Sequence, residues 1–240
     1  MRGDVVVSTD PAANAAARLA DAAGSGAHIA LSGGSTPRRA YEQAAELRGD
    51  WRGATVWFGD ERCVPPDHPD SNYRMVSEAL LDRLAGRPRV QRMAGEEDPE
   101  GAAELYEELI WKEVGGDDVN GANPPSLDLI IMGLGPDGHT ASLFPGKPAV
   151  METARLVCAV PEAGMEPYVP RVTMTLPVFN AAKEVVFLVA GEDKADAVAR
   201  AFGSGPDLAT PASLVAPRAG ALTILLDSAA ASKLETAASR

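Results

Sequence analysis

Eight short apolar runs, each four to six residues long, constrain this chain more than any other feature. They fall at residues 5–8, 28–31, 55–58, 127–132, 156–160, 172–176, 184–189 and 221–226. Runs this short and this continuously apolar read as strands buried on both faces, the pattern of a parallel sheet. Helix-length segments lie between many of them. Asp10 followed by Pro11 supplies an N-cap and a first-turn proline for an alanine-rich helix reaching about residue 23. A second helix is predicted over 37–47, with Tyr41, Ala44, Ala45 and Leu47 facing inward, and others over 72–85 and 99–114. Residues 60–71 read as a long polar loop, and the Gly-, Asn- and Pro-rich stretch 117–125 as a surface loop. Alternation of strands and helices predicts the α/β class, a mostly parallel sheet flanked by helices. With neither an internal repeat nor a linker, residues 1–240 are expected to form a single domain.

Composition narrows the function classes. A net charge of -12 argues against a broad nucleic-acid or anionic-membrane surface, which would need clustered Lys and Arg. A small anion remains possible where a few cations converge. The N-terminus lacks an apolar signal core, and nowhere do about 18 apolar residues run together. Cys63 and Cys158 are too few for a disulfide framework. The expectation is a cytoplasmic protein, monomeric since no coiled-coil repeat or apolar face announces an interface, with neither nucleic acid nor membrane as partner.

Chemistry concentrates in three segments. After the apolar run 129–132 comes Gly133-Leu134-Gly135-Pro136-Asp137-Gly138-His139. In open α/β sheets ligands bind at the carboxyl ends of strands, so one of only three histidines stands where substrate would sit. His139 is the candidate acid/base group; the competing reading makes it a cap for a following helix. Asp137 reads as a turn residue or as a partner orienting the imidazole. His28, within an apolar strand, reads as a core residue, and His68 as a solvated loop residue.

The second segment, Ser32-Gly33-Gly34-Ser35-Thr36-Pro37, joins a strand to a helix. Glycines allow close backbone approach, and a helix N-terminus offers free N–H groups to an anion. Gly33, Gly34, Ser35 and Thr36 therefore read equally as a phosphate cradle or as a plain turn. The spacing matches neither the nucleotide P-loop nor the dinucleotide fingerprint. The third segment, Gly59-Asp60-Glu61-Arg62-Cys63-Val64-Pro65, comes directly after the strand at 55–58. Arg62 is its favoured member, since a guanidinium holds carboxylate, lactone or phosphate oxygens with directed hydrogen bonds; the competing reading is a solvated loop.

These segments, with Ser71-Asn72-Tyr73, Thr140-Ala141-Ser142-Leu143-Phe144-Pro145, Pro170-Arg171-Val172-Thr173-Met174-Thr175 and Gly191-Glu192-Asp193-Lys194-Ala195, resemble the 6-phosphogluconolactonase family over residues 31–227. The stretch 162–169 departs from the family's usual pattern. The resemblance implies a modified Rossmann-like α/β domain shared with glucosamine-6-phosphate isomerases. It also implies cofactor- and metal-free hydrolysis of 6-phospho-D-glucono-1,5-lactone to 6-phospho-D-gluconate in the oxidative pentose phosphate pathway. Under it His139, Asp137 and Arg62 are the catalytic candidates. Gly33, Gly34, Ser35, Thr36, Asp60, Arg171 and Lys194 are the candidates for holding the phosphosugar lactone.

Two other readings stay open. A sugar-phosphate isomerase of the glucosamine-6-phosphate kind would carry an acid after the Asp-Gly-His segment, where this chain has Ser142-Leu143-Phe144-Pro145. A non-catalytic sugar-phosphate sensor usually brings an attached partner domain, and here the first predicted strand starts at Val5. A serine-hydrolase elbow, a His-Glu-x-x-His zinc motif and a Cys-x-x-Cys pair are all missing from the sequence.

Overall fold

The computed structural model describes residues 3–116 and 123–234; residues 117–122 of the predicted surface loop lie outside them. Ten strands and six α-helices occur in the order β1 (Asp4–Val7), α1 (Pro11–Gly24), β2 (His28–Leu31), α2 (Ser35–Leu47), β3 (Thr55–Phe58), β4 (Asp60–Arg62), α3 (Asn72–Ala79), β5 (Arg89–Val90), α4 (Pro99–Val114), β6 (Leu129–Met132), β7 (Val157–Val160), β8 (Arg171–Met174), α5 (Leu176–Ala181), β9 (Glu184–Val189), α6 (Ala195–Phe202) and β10 (Ala221–Leu226). Seven strands form one parallel sheet in the order β1-β10-β9-β6-β2-β3-β5.

The continuous apolar runs are explained by burial on both faces. On β6, Leu129 and Ile131 join one core with α1, α2 and α3, while Ile130 and Met132 join the other with α4, α5 and α6. On β2, Ile29 and Leu31 take the first side and Ala30 the second. Strand alternation thus feeds two hydrophobic layers from one apolar string.

Side-chain caps set the starts of α1 and α4. Asp10 accepts a hydrogen bond from the Ala13 amide at the head of α1, and Asp98 one from Gly101 at the head of α4, with proline next in both. Helix α2 begins at Ser35, two residues before the predicted start, because Gly34 at φ +107° serves as its N-cap and Pro37 still falls in the first turn, where no N–H is needed. Tyr41, Ala44 and Ala45 are buried as predicted, but Leu47 is 63% exposed. At 100° per residue Leu47 sits about a quarter turn off the centre of the 40/41/44/45 stripe.

The predicted polar loop at 60–71 is the main correction. Its first three residues form β4, which pairs antiparallel with β8, and β8 with β7, in a second sheet. Asp60 and Glu61 are buried, 5% and 3% exposed. Glu61 accepts hydrogen bonds from the Arg62, Asn72 and Tyr73 amides and from the Ser71 hydroxyl, closing the start of α3. Burial pushes its pKa up and those three amides pull it back only in part. The partners that make burial of these acids tolerable come from elsewhere in the chain. Asp128, just before β6, accepts hydrogen bonds from the His28 amide on β2 and from the Lys183 ammonium just before β9.

Strand order places the site. From β2 the chain proceeds to β3 and β5 on one side; from β6 it proceeds to β9 and β10 on the other. The connections leaving β2 and β6 therefore part, α2 entering one layer and residues such as Leu134, Leu143 and Phe144 the other. That divergence opens a crevice at the carboxyl ends of the strands. Among the described residues, no helix is long and apolar enough to cross a membrane.

Candidate active site

A cavity of about 320 Å³ occupies that crevice. Its walls come from the turn after β2 (Ser32 to Pro37), from Asp60, Arg62 and Asn72, from the turn after β6 (Gly133 to Pro136, His139 to Ala141, Phe144), and from Arg171 and Lys194. Every predicted site residue but one lines it; the exception is Asp137, which stands behind His139.

The turn after β6 holds the imidazole. Gly135 N–H donates to the His139 carbonyl, Gly138 N–H to the Gly135 carbonyl, and the Thr140 hydroxyl to the Gly133 carbonyl. His139 has no succeeding helix to cap; the chain continues through turns to a short 3-10 segment at Pro148–Met151. His139 Nδ1 lies 2.6 Å from Asp137 Oδ1, and the His139 amide also donates to that oxygen at 3.1 Å. Partial burial raises the Asp137 pKa, but these hydrogen bonds and the imidazole charge outweigh it and hold the carboxyl below its ordinary range. Because its folded pKa is depressed, the pair's contribution to stability is present above the usual carboxylate pKa of about 3.9 and lost as pH falls through the lowered value. An ionised carboxylate only accepts, so Nδ1 carries a proton, and in the neutral imidazole the lone pair is then left on Nε2. The Phe144 ring packs on the imidazole at 4.7 Å between centroids.

The turn after β2 is stiffened from beneath. The Tyr41 hydroxyl accepts from the Ser32 amide at 3.0 Å and donates to the Ser32 carbonyl at 2.8 Å. Removing that hydroxyl in Tyr41→Phe strands both groups in a buried place, at a cost of about 1–3 kcal/mol. Thermal denaturation should show a Tm lower by roughly 2–4 °C per kcal/mol; an unchanged Tm would mean that those groups find other partners. Gly33 must be glycine for a local reason, since a Cβ there would meet Asn72 Oδ1 at 1.8 Å.

Three cations border the cavity. Arg171 is 3% exposed, loosely paired with Asp60 at 3.9 Å, and its Nε has no partner among the described residues. Burial pulls its pKa down against the opposing pull of Asp60, yet a guanidinium stays charged in proteins. Arg62 donates to the Asp70 carbonyl and has a buried Nε that is likewise unpartnered among the described residues. Lys194, at the start of α6, is 3.6 Å from Asp193. Asp60 also accepts from the Ser142 hydroxyl at 2.6 Å and from Asn72. Together with the free N–H groups heading α2, these cations suit a small dianion. Among the described residues, no three His, Cys, Asp or Glu side chains converge as a metal-ligand group. Cys63 is no nucleophile: burial pushes its thiol up to about 11.

Several lining residues escaped sequence reasoning, namely Asn72, Thr140, Ala141, Phe144, Met165 and Glu166. Asn72 carried no signal of its own, because it is aimed by the Asp60 carbonyl at 2.9 Å. Ala141, at φ +49°, is the one non-glycine among the described residues in the left-handed region, a kind of strain that collects at functional sites.

A family model described as glucosamine-6-phosphate isomerases/6-phosphogluconolactonase matches residues 6–224. The chain belongs to this family. Within it, the chain is 41% identical to the 6-phosphogluconolactonase of Synechocystis over 86% of this chain and 84% of that one. It is 40% identical to that of Streptomyces coelicolor over 92% and 89%. The solved 6-phosphogluconolactonase of Trypanosoma cruzi superimposes with a TM-score of 0.83 at 30% identity, over 98% of both chains. A monomeric glucosamine-6-phosphate deaminase shares the fold of the family at a TM-score of 0.78 and 20% identity.

Proposed function

We propose that this chain hydrolyses 6-phospho-D-glucono-1,5-lactone to 6-phospho-D-gluconate, the lactone step of the oxidative pentose phosphate pathway, with His139 as general base. The relatives named 6-phosphogluconolactonase support the reaction. One geometric observation carries the mechanism: an imidazole with a free Nε2 and a cationic, glycine-bordered helix start line the same cavity.

A lactone is a reactive ester, so an oriented water, a base and donors for the developing oxyanion suffice. In this reading Nε2 of His139 takes a proton from water as its oxygen attacks the lactone carbonyl carbon. The tetrahedral oxyanion forms beside Arg62. As it collapses, the carbon–ring-oxygen bond breaks, and the imidazolium returns its proton to the ring oxygen. Asp137 keeps the imidazole in the required tautomer and steadies its charged form. Gly33, Gly34, Ser35 and Thr36 cradle the phosphate, with Arg171 and Lys194 supplying positive charge and Asp60 fixing Arg171. The chain is taken to act as a single-domain cytoplasmic monomer without cofactor.

The isomerase alternative is less well supported: in place of an acid after His139 stand Ser142, fully buried and bonded to Asp60, and Phe144 against the imidazole. A coupled assay on freshly generated lactone, with spontaneous opening subtracted, tests the proposal; hydrolysis no faster than buffer sinks it. Ammonia release from glucosamine 6-phosphate would favour the isomerase.

Asp137 makes a separate prediction. Asp137→Asn frees the imidazole to flip its tautomer, so kcat should fall, by no more than the roughly 10²–10⁴-fold of a whole acid/base group. KM should hold, since Asp137 does not line the cavity. Steady-state kinetics showing a raised KM at unchanged kcat would assign Asp137 to binding instead.

A further inference from the structure

Residues 162–169 bring Met165 and Glu166 to the cavity wall. Glu166 is otherwise unexplained. It is exposed and lines the cavity, and its carboxylate has no hydrogen-bond or ion-pair partner among the described residues. Its backbone, by contrast, is tied on both sides. The buried Arg171 guanidinium donates to the Met165 carbonyl at 3.4 Å and to the Pro167 carbonyl at 3.0 Å, bracketing residue 166. Pro167 and Pro170 restrict the same stretch. One arginine therefore both borders the cavity and fixes the backbone around a cavity-lining residue whose carboxylate has no partner among the described residues.

A carboxylate at a cavity bordered by Arg62, Arg171, Lys194 and an Asp60 already engaged by Ser142 has restricted uses. It repels a phosphate dianion, so it does not belong to the anion cradle. It accepts hydrogen bonds without donating any, and its two oxygens match a pair of hydroxyls on adjacent ring carbons. The hydroxyls of a phosphosugar are the donors that such a ligand offers.

We propose that Glu166 is a specificity-determining residue, its carboxylate accepting hydrogen bonds from ring hydroxyls of the phosphosugar and so selecting hydroxylated rings over deoxy ones. This role rests on the phosphosugar-lactone reading and adds to it a recognition element outside the segments that carry the family resemblance.

The test uses binding, which does not need catalysis. Calorimetry would compare glucose 6-phosphate and its 2-, 3- and 4-deoxy analogues on wild type, Glu166→Ala and Glu166→Gln, with inorganic phosphate as the anion probe. Glu166→Ala should bind glucose 6-phosphate roughly 10-fold more weakly, the lower range for hydrogen bonds to a charged group. Glu166→Gln, which keeps an acceptor oxygen, should lose less, and phosphate should bind all three proteins alike. At least one deoxy analogue should bind wild type more weakly than glucose 6-phosphate yet bind Glu166→Ala equally well. Equal affinity of wild type and Glu166→Ala for glucose 6-phosphate overturns the assignment, as do losses that simply multiply for every analogue. Lactone hydrolysis by wild type is measured in parallel: its absence sinks the lactonase reading while the binding comparison still decides Glu166. No binding of glucose 6-phosphate by wild type overturns the Glu166 assignment, while lactone hydrolysis still decides the lactonase reading.

Discussion

Replacing His139 by alanine is expected to lower turnover of 6-phosphogluconolactone by roughly 10²–10⁴-fold, the usual contribution of an acid/base group. KM should change far less, because the cradle after β2 and the three cations remain. The loss is large because little else in the cavity can take a proton from water. Asp60 is engaged by the Ser142 hydroxyl and lies beside Arg171. Asp137 sits behind the ring rather than on the cavity wall. Because the lactone opens unaided, the variant must be read against buffer at matched pH. Turnover near that of wild type would remove His139 from the mechanism.

A second large effect should come from a residue with no functional group at all. A Cβ at Gly135 would lie 2.0 Å from His139 Nδ1, 2.2 Å from its Cε1 and 2.7 Å from Asp137 Oδ1. No real Cβ tolerates such contacts, so in Gly135→Ala the imidazole must swing off Asp137. A displacement on the order of 1 Å at a reacting group costs roughly 10² in rate, and that loss in kcat is expected with His139 still present. Gly135 is not among the glycines at positive φ, so alanine meets no backbone penalty there. The Tm should therefore fall only by what the Asp137–His139 pair contributes, with the protein still folded. Gly205→Ala is the control, since a Cβ there has nothing within 4 Å. Full activity in Gly135→Ala would show that the imidazole works from a different position.

The parts of this protein legible in advance are those governed by local rules. Strands β2, β3, β9 and β10 begin and end where their apolar runs do, because burial along most of their length admits few polar side chains, Thr55 and Thr223 among them. Helices α1 and α4 start at their Asp-Pro pairs because the cap is satisfied within three residues. The glycine turn before His139 marked the site because the end of a parallel strand delivers the next residues to the crevice.

Other features failed to announce themselves for the opposite reason. Asp60 and Glu61 read as solvent-facing, since a charged pair after a strand normally is; their burial depends on Arg171, on Ser142 and on the amides that begin α3. Asn72 and Glu166 are aimed by backbone held elsewhere in the sequence. Leu47 obeys a helix phase that only packing defined.

Amino-acid order alone thus determined the α/β class, most strand positions, the caps and the choice of His139 as the candidate base, all products of periodicity and short-range hydrogen bonding. Tertiary structure decided the seven-strand order with its parting at β2 and β6, the second antiparallel sheet, and the meeting of residues 33–36, 60, 62, 139, 166, 171 and 194 around one cavity. Those depend on which strands neighbour one another. The free energy of that choice is spread over two whole hydrophobic layers, and no short stretch of the chain encodes it.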